Sequence, residues 1–222
     1  MSELLAPLAT SLLVGLAATL LVALPGIAVG WLLARRRFPG HALVDGLVQL
    51  PLVIPAVAVG YGLLWLLGES GLALAPGLLF TREAAVLASG VMALPLVARM
   101  ARLAFEGVDP RLERMARSLG LSPAATFLRV TLPLARRGLA GALVLGFARA
   151  LGEFGATVVV AGLVPGETET LALAIFEDIQ LGAEADALRL VAAAAVISFA
   201  AVALAGRLAA GDGRGQTREA RR

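Results

Sequence analysis

The chain has no cysteine and no lysine, and only one histidine and one tyrosine in 222 residues. Without cysteine there is neither a disulfide framework nor a thiolate metal site. The single histidine, His41, stands beside a basic turn with no second ligand type near it in sequence, so no metal site is expected. Because there is no lysine, all 19 basic residues are arginine. The phosphate-binding loop of a nucleotide hydrolase needs a lysine to reach the β- and γ-phosphates. That loop is therefore excluded, and any ATP that drives this protein must be bound by another chain.

Charge of both signs is scarce as well. Charged residues make up 16% of the sequence and hydrophobic ones 59%, against roughly 25% and 45–50% in a soluble domain. Lipid is thus the expected solvent, and no nucleic-acid partner is expected. Charge-free runs over 4–34 and 46–68 match the ~20 residues needed to cross a bilayer core. The pattern predicts an all-α integral membrane protein with spans at about 8–34, 47–67, 84–104, 138–163 and 187–208. In the third span Arg99 and Arg102 must snorkel to the interface at its end, and the fourth carries Arg149 and Glu153 within its apolar run. One transmembrane domain fills 1–210, and the polar, basic, Gly-rich 211–222 is expected to be a disordered tail.

Arginine placement orients these spans, since cytoplasmic segments collect Arg. Arg35, Arg36 and Arg37 follow the first span; Arg99, Arg102, Arg111, Arg114, Arg117, Arg129, Arg136 and Arg137 follow or end the third; Arg207, Arg214, Arg218, Arg221 and Arg222 close the chain. The alternate loops hold Arg82 alone and an acidic stretch with Glu167, Glu169, Glu177, Asp178 and Glu184. Five spans with the N-terminus outside and the C-terminus in the cytoplasm satisfy every loop. A cleaved signal peptide would need a basic start; this one begins with Glu3 and its positive charges follow the apolar run, so a retained helix is expected.

The loop 106–137 is too long and too patterned for a bare connector. Asp109-Pro110 reads as an N-cap with Pro at the first helical position, Leu112, Met115, Ala116 and Leu119 share one face, and Gly120 ends the helix. Ser122-Pro123 starts a second helix, with Ala124, Phe127 and Leu128 on one side, which Pro133 is expected to close. The opposite side of the first helix carries Arg111, Arg114 and Arg117. Such a bent pair either lies on anionic lipid or plugs into a groove on a soluble partner.

Spacing favours the plug. Arg114-Met115-Ala116, then Arg117-Ser118-Leu119, then Gly120, nine residues and Val130-Thr131-Leu132-Pro133 resemble the signature loop of binding-protein-dependent ABC importer permeases. In that family a Glu-Ala-Ala triplet is followed by three residues, Gly, nine residues and Ile-x-Leu-Pro. Gly120, Leu132 and Pro133 match in place; Arg114 stands where the family has Glu, Met115 where it has Ala, and Val130 where it has Ile. The strings 34–40, 50–55, Phe147-Ala148-Arg149-Ala150-Leu151-Gly152-Glu153-Phe154-Gly155-Ala156-Thr157 and Pro165-Gly166-Glu167-Thr168 resemble the molybdate permease branch, with sulfate and tungstate permeases as relatives.

The resemblance implies a type I ABC importer permease (MetI-like) fold in the cytoplasmic membrane of a prokaryote. It implies a homodimer, two ATP-binding-cassette ATPase subunits that hold the ATP and magnesium, and a soluble periplasmic or extracellular oxyanion-binding protein. The loop with Arg114, Met115, Ala116, Arg117, Gly120, Val130, Leu132 and Pro133 would seat on the ATPase and transmit its closure, so that the two copies alternate access. No cofactor is expected in this chain, and no residue performs bond chemistry.

For the pathway, Pro51 and Pro55 would break the second span, which lipid tolerates only where the helix faces protein or a cavity. Gly26 and Gly30 offer a close-packing surface on the first span. Arg149 and Glu153, at i and i+4, are either a mutually neutralising pair or a device that offers positive potential to a passing dianion under the restraint of Glu153. Two other classes remain to be distinguished. An ion-coupled secondary transporter would explain the intramembrane pair but not the two-helix loop, and no inverted repeat is evident. A membrane enzyme would need clustered carboxylates or a nucleophile with a base, and neither is visible.

Overall fold

Two helix breaks, at Pro55 and at Gly152, fall inside stretches expected to be single spans. A computed structural model describes the backbone of residues 2–219 and the side chains of 5–75 and 77–208. In order, the helices are α1 (Ser2–Arg35), α2 (His41–Val53), α3 (Ala56–Leu67), α4 (Arg82–Glu106), α5 (Pro110–Ser118), α6 (Pro123–Thr126), α7 (Leu132–Leu151), α8 (Gly155–Val160), α9 (Leu171–Gln180) and α10 (Glu184–Glu219). A short 3₁₀ turn (Pro76–Leu78) precedes α4, and a π-helical turn (Phe127–Thr131) joins α6 to α7. There is no strand among the described residues.

Four helical stretches are long and apolar enough to cross a membrane: Leu5–Arg35, Arg82–Glu106, Pro123–Leu151 and Glu184–Leu208. A fifth span exists if α2 and α3 count as one, but they meet at 108°. The segment expected as a single helix over 47–67 is thus two. Pro55 has no N–H to continue the α2 ladder, and the residue before a proline is pushed out of the helical region; Ile54 accordingly sits at φ −71°, ψ 139°.

The fourth expected span, 138–163, also differs. Helix runs from Pro123 through the π turn to Leu151, stops at Gly152, and restarts at Gly155 as α8. Pro133 does not close the second loop helix. It lies in the first turn of α7, where the missing N–H is tolerated because the π turn has already displaced the i→i−4 bonding. At the far end, α10 remains helical to Glu219. The stretch expected as a disordered tail, 211–222, is thus helical as far as Glu219; its last residues, 220–222, lie outside the described residues.

α4 is the inner helix. Its Ala85, Ala88, Ala93, Val97, Ala101 and Phe105 are fully buried, and α1 and α7 pack along it. Small residues make this possible: a methyl group at Gly30 would lie 2.7 Å from the carbonyl oxygen of Ala98 and 2.8 Å from the amide nitrogen of Arg102. At Gly26 a methyl would instead meet a side chain, 2.8 Å from Val97 Cγ1. α10 packs on α7 and α9 and turns Leu188, Val196, Phe199 and Val202 outward. Exposed apolar side chains on α1, α2, α3 and α10 would cost free energy in water; in lipid they cost none.

Candidate functional site

The two-helix loop is built from matched start and stop signals. Asp109 caps α5, its carboxylate accepting from the Arg111 N–H at 2.8 Å, and Ser122 caps α6 by accepting from the Ala125 N–H at 3.2 Å. Between them the chain turns through Gly120 at φ +89°. The Gly120 N–H donates to the Arg117 carbonyl at 2.9 Å and the Leu121 N–H to the Ala116 carbonyl at 3.2 Å, which is the paired C-cap of a Schellman turn. Nothing lies within 4 Å of a methyl placed on Gly120, so the position requires glycine for its backbone angle and not for space.

α5 has two faces with different partners. Ala116 is buried against the body, whereas Leu112, Met115 and Leu119 are exposed, Leu119 at 77%. The apolar face expected from spacing therefore does not fold onto the protein. Arg111, Arg114 and Arg117 are exposed as well. Past α6, Phe127 stacks edge-on to Trp31 at 5.7 Å and near Phe105 at 6.2 Å, while Leu128 is exposed. Val130 and Leu132 lie half-buried in and after the π turn, and Pro133 is exposed.

The residue that holds this loop to the spans is Glu113, which no sequence motif singled out. Its carboxylate lies 3.1 Å from the Arg35 guanidinium and accepts from the Thr131 hydroxyl at 2.8 Å. Arg35 also donates to the Val108 carbonyl at 2.8 Å. One carboxylate thus joins the end of α1, α5 and the π turn. The signal available in the sequence was an isolated acid inside a strongly basic segment, adjacent to the Arg114 that replaces the family's glutamate.

The expected pathway residues fall at two breaks that touch. Pro55 is the N-cap of α3, and its neighbour Ala56 lies so close to Gly155 that a methyl on the glycine would sit 2.9 Å from the Ala56 Cβ. In the segment that leads into Gly155, Arg149 Nη1 pairs with Glu153 Oε2 at 2.7 Å. Glu153 is 2% exposed, and its other oxygen accepts from the Ala156 N–H at 2.8 Å, capping α8. The arginine is less enclosed than its partner, with 28% of its side chain open. A lone arginine at bilayer depth costs about 2.5–3.5 kcal/mol, and pairing offsets that cost. Pro51 lies half-buried, one helical turn before Pro55.

A second ionic group lies nearer the loop end of α4. Arg102 does not simply snorkel: Nη1 donates to Asp45 on α2 at 2.8 Å and Nε to Glu106 at 2.8 Å, while Gln49 Nε2 donates to the other Asp45 oxygen at 2.6 Å. The α2–α3 unit is thereby fastened to α4 at one end and to α8 at the other. Arg99 is exposed beside this group, and together they border a cavity of about 310 Å³. His41, two residues past Pro39, hydrogen-bonds the Leu33 carbonyl at 3.0 Å. At the opposite end of α4, Arg82 donates to the carbonyls of Gly166 and Glu167 at 2.5 and 2.8 Å, and Thr168 closes the Pro165-to-Thr168 turn onto Val164 and Gly162.

Residues 26–210 match the family model described as binding-protein-dependent transport system inner membrane component. The molybdenum transport system permease protein of Haemophilus influenzae is 44% identical over 80% of this chain and 81% of its own length. The sulfate transport system permease protein of Synechocystis is more distant, at 36% identity over 69% of this chain and 58% of its own. Among solved structures, an inward-facing methionine ABC transporter superposes with a TM-score of 0.70 at 20% identity, covering 94% of this chain and 97% of that one.

Proposed function

Because this chain belongs to the family of binding-protein-dependent transport system inner membrane components, a multi-pass permease subunit and not itself an enzyme, we propose that it forms the pathway of an ABC importer for an oxyanion, molybdate foremost. The greater similarity to molybdenum permeases than to sulfate ones supports that order of substrates. Sulfate and tungstate remain the competitors to be tested.

The observation that carries the reading is the division of labour on α5. A helix that exposes Leu112, Met115 and Leu119 while its other face is tied down by Glu113 has the design of a rigid knob awaiting a groove. We assign that groove to the ATPase subunit, which holds the ATP and magnesium. Its closure would push α5 and α6 together. Because α6 runs through the π turn into α7, and Glu113 connects α5 to α1, the push reaches two spans directly.

The partner across the pathway is a second copy of this chain. α2 and α3 carry outward Leu43, Leu47, Val57, Tyr61 and Trp65, a surface suited to a homodimer around the two touching breaks. There Arg149 and the N-terminus of α3 both favour an anion, and Glu153 keeps the arginine from holding it too tightly. The acidic turn region near Glu167 faces outward, where the oxyanion-binding protein docks, and the α5–α6 end faces the cytoplasm.

The test is reconstitution. Proteoliposomes holding this permease and its ATPase, supplied with the binding protein and ATP, should accumulate labelled molybdate and do so in preference to tungstate or sulfate. Accumulation of sulfate first would change the substrate; uptake that persists with a hydrolysis-dead ATPase would overturn the ABC mechanism in favour of an ion-coupled one.

A further inference from the structure

The face of α5 turned away from the exposed apolar residues looks across an open cavity at the end of α1. This cavity has a volume of about 520 Å³, within the range of small-ligand sites. Trp31, Pro123 and Phe127 form an apolar wall, and Arg35, Arg36 and Arg117 bring three positive charges. The one carboxylate present, Glu113, is spent on Arg35 and Thr131. Arg36 lies over the Trp31 ring at 5.9 Å and, like Arg117, pairs with no carboxylate among the described residues. We propose that this cavity binds the phosphodiester headgroup of an anionic phospholipid.

Three observations converge on that ligand. Trp31 stands one turn inside the end of a 31-residue apolar span, the depth at which tryptophan meets lipid headgroups. Basic pockets between helices on the cytoplasmic side are suited to lipid phosphates, and here the arginines share the cavity with aromatic and proline surface that a free inorganic anion would not use. The adjacent π turn, a rare geometry associated with functional sites, contributes Phe127 and Thr131 to the wall. The site is separate from the cargo pathway, so it stands whatever oxyanion is imported.

The test uses Trp31 as its own reporter. Trp65→Phe leaves Trp31 the only tryptophan in the chain. The full chain is placed in phosphatidylcholine vesicles containing either phosphatidylglycerol or phosphatidylcholine with brominated acyl chains, which quench nearby tryptophan. Brominated phosphatidylglycerol should quench Trp31 selectively, and Arg36→Gln should lower that selectivity about fivefold, the share of one arginine near a membrane surface. Arg117→Gln provides a second variant with the same expectation. Arg37→Gln removes an equal charge from the neighbouring position outside the cavity and should leave the selectivity intact. Equal quenching by both lipids, or an equal loss with Arg37→Gln, overturns the site. Displacement of the lipid by millimolar inorganic phosphate would reassign it to a free anion.

Discussion

The guanidinium of Arg35, at the end of α1, lies 3.1 Å from the carboxylate of Glu113 on α5, and both side chains are largely enclosed. This pair, with the Thr131 hydroxyl on the same carboxylate, makes the loop and two spans one mechanical unit. Removing one partner of an enclosed ion pair leaves the other charge stranded. Glu113→Ala should therefore destabilise the purified permease by about 1–3 kcal/mol, read as a fall in Tm, and should loosen the coupling of ATP hydrolysis to uptake in the assembled complex. The double variant Arg35→Ala with Glu113→Ala should recover part of the stability. Additive losses would mean that the two residues act independently.

Gly120 separates backbone conformation from packing. The Cβ of a valine there meets nothing within 4 Å, but the residue must adopt a positive φ, at a cost on the order of 1–3 kcal/mol, whereas asparagine tolerates that region better. Gly120→Val should weaken capture of the ATPase in a pull-down, and Gly120→Asn should retain most of it. Equal capture by both would show that the Schellman turn is not needed for seating.

Gly30 is the reverse case, a matter of space. Gly30→Ala places a methyl 2.7 Å from the Ala98 carbonyl oxygen, and overpacking of this kind costs about 1–3 kcal/mol. Gly46→Ala on α2 meets nothing within 4 Å and should be neutral or slightly stabilising. Thermal unfolding in detergent distinguishes them.

The first span, the two-helix loop and the family resemblance were legible because they depend on local chemistry: an apolar run bounded by Arg35, caps at Asp109 and Ser122, and a glycine at the turn. The pairing of Arg149 with Glu153 followed from their i, i+4 spacing. What could not be read was anything set by partners distant in sequence. Glu113 owes its importance to Arg35 and Thr131, and Asp45 to Arg102. The apolar character of 138–163, broken only by Arg149 and Glu153, concealed the stop at Gly152, where Glu153 turns its carboxylate to the N-terminus of α8. Proline was ambiguous in both directions: Pro55 bends its span by 108°, while Pro133 is absorbed by the π turn preceding it.

The Arg149–Glu153 pair allows packing and transport roles to be separated. Arg149→Leu strands a carboxylate that is 2% exposed and should destabilise the chain by about 3–5 kcal/mol. Glu153→Gln keeps an oxygen for the Ala156 N–H and should be milder. The double variant Arg149→Leu with Glu153→Gln should restore thermal stability yet leave molybdate uptake abolished. Full recovery of uptake would reduce the arginine to a packing residue.

The central claim is that the exposed face of α5 seats on a separate ATPase, and the absence of native cysteine makes a direct measurement possible. A single cysteine at Leu119, in the otherwise thiol-free chain, can be cross-linked in membranes that also contain the ATPase. The expected product is a permease–ATPase adduct formed in good yield, and the cysteine that is not yet cross-linked should resist labelling by a membrane-impermeant maleimide added outside intact cells. A cysteine at Leu119 that reacts freely with the external maleimide and never cross-links to the ATPase, in a variant that still imports its oxyanion, would contradict the account.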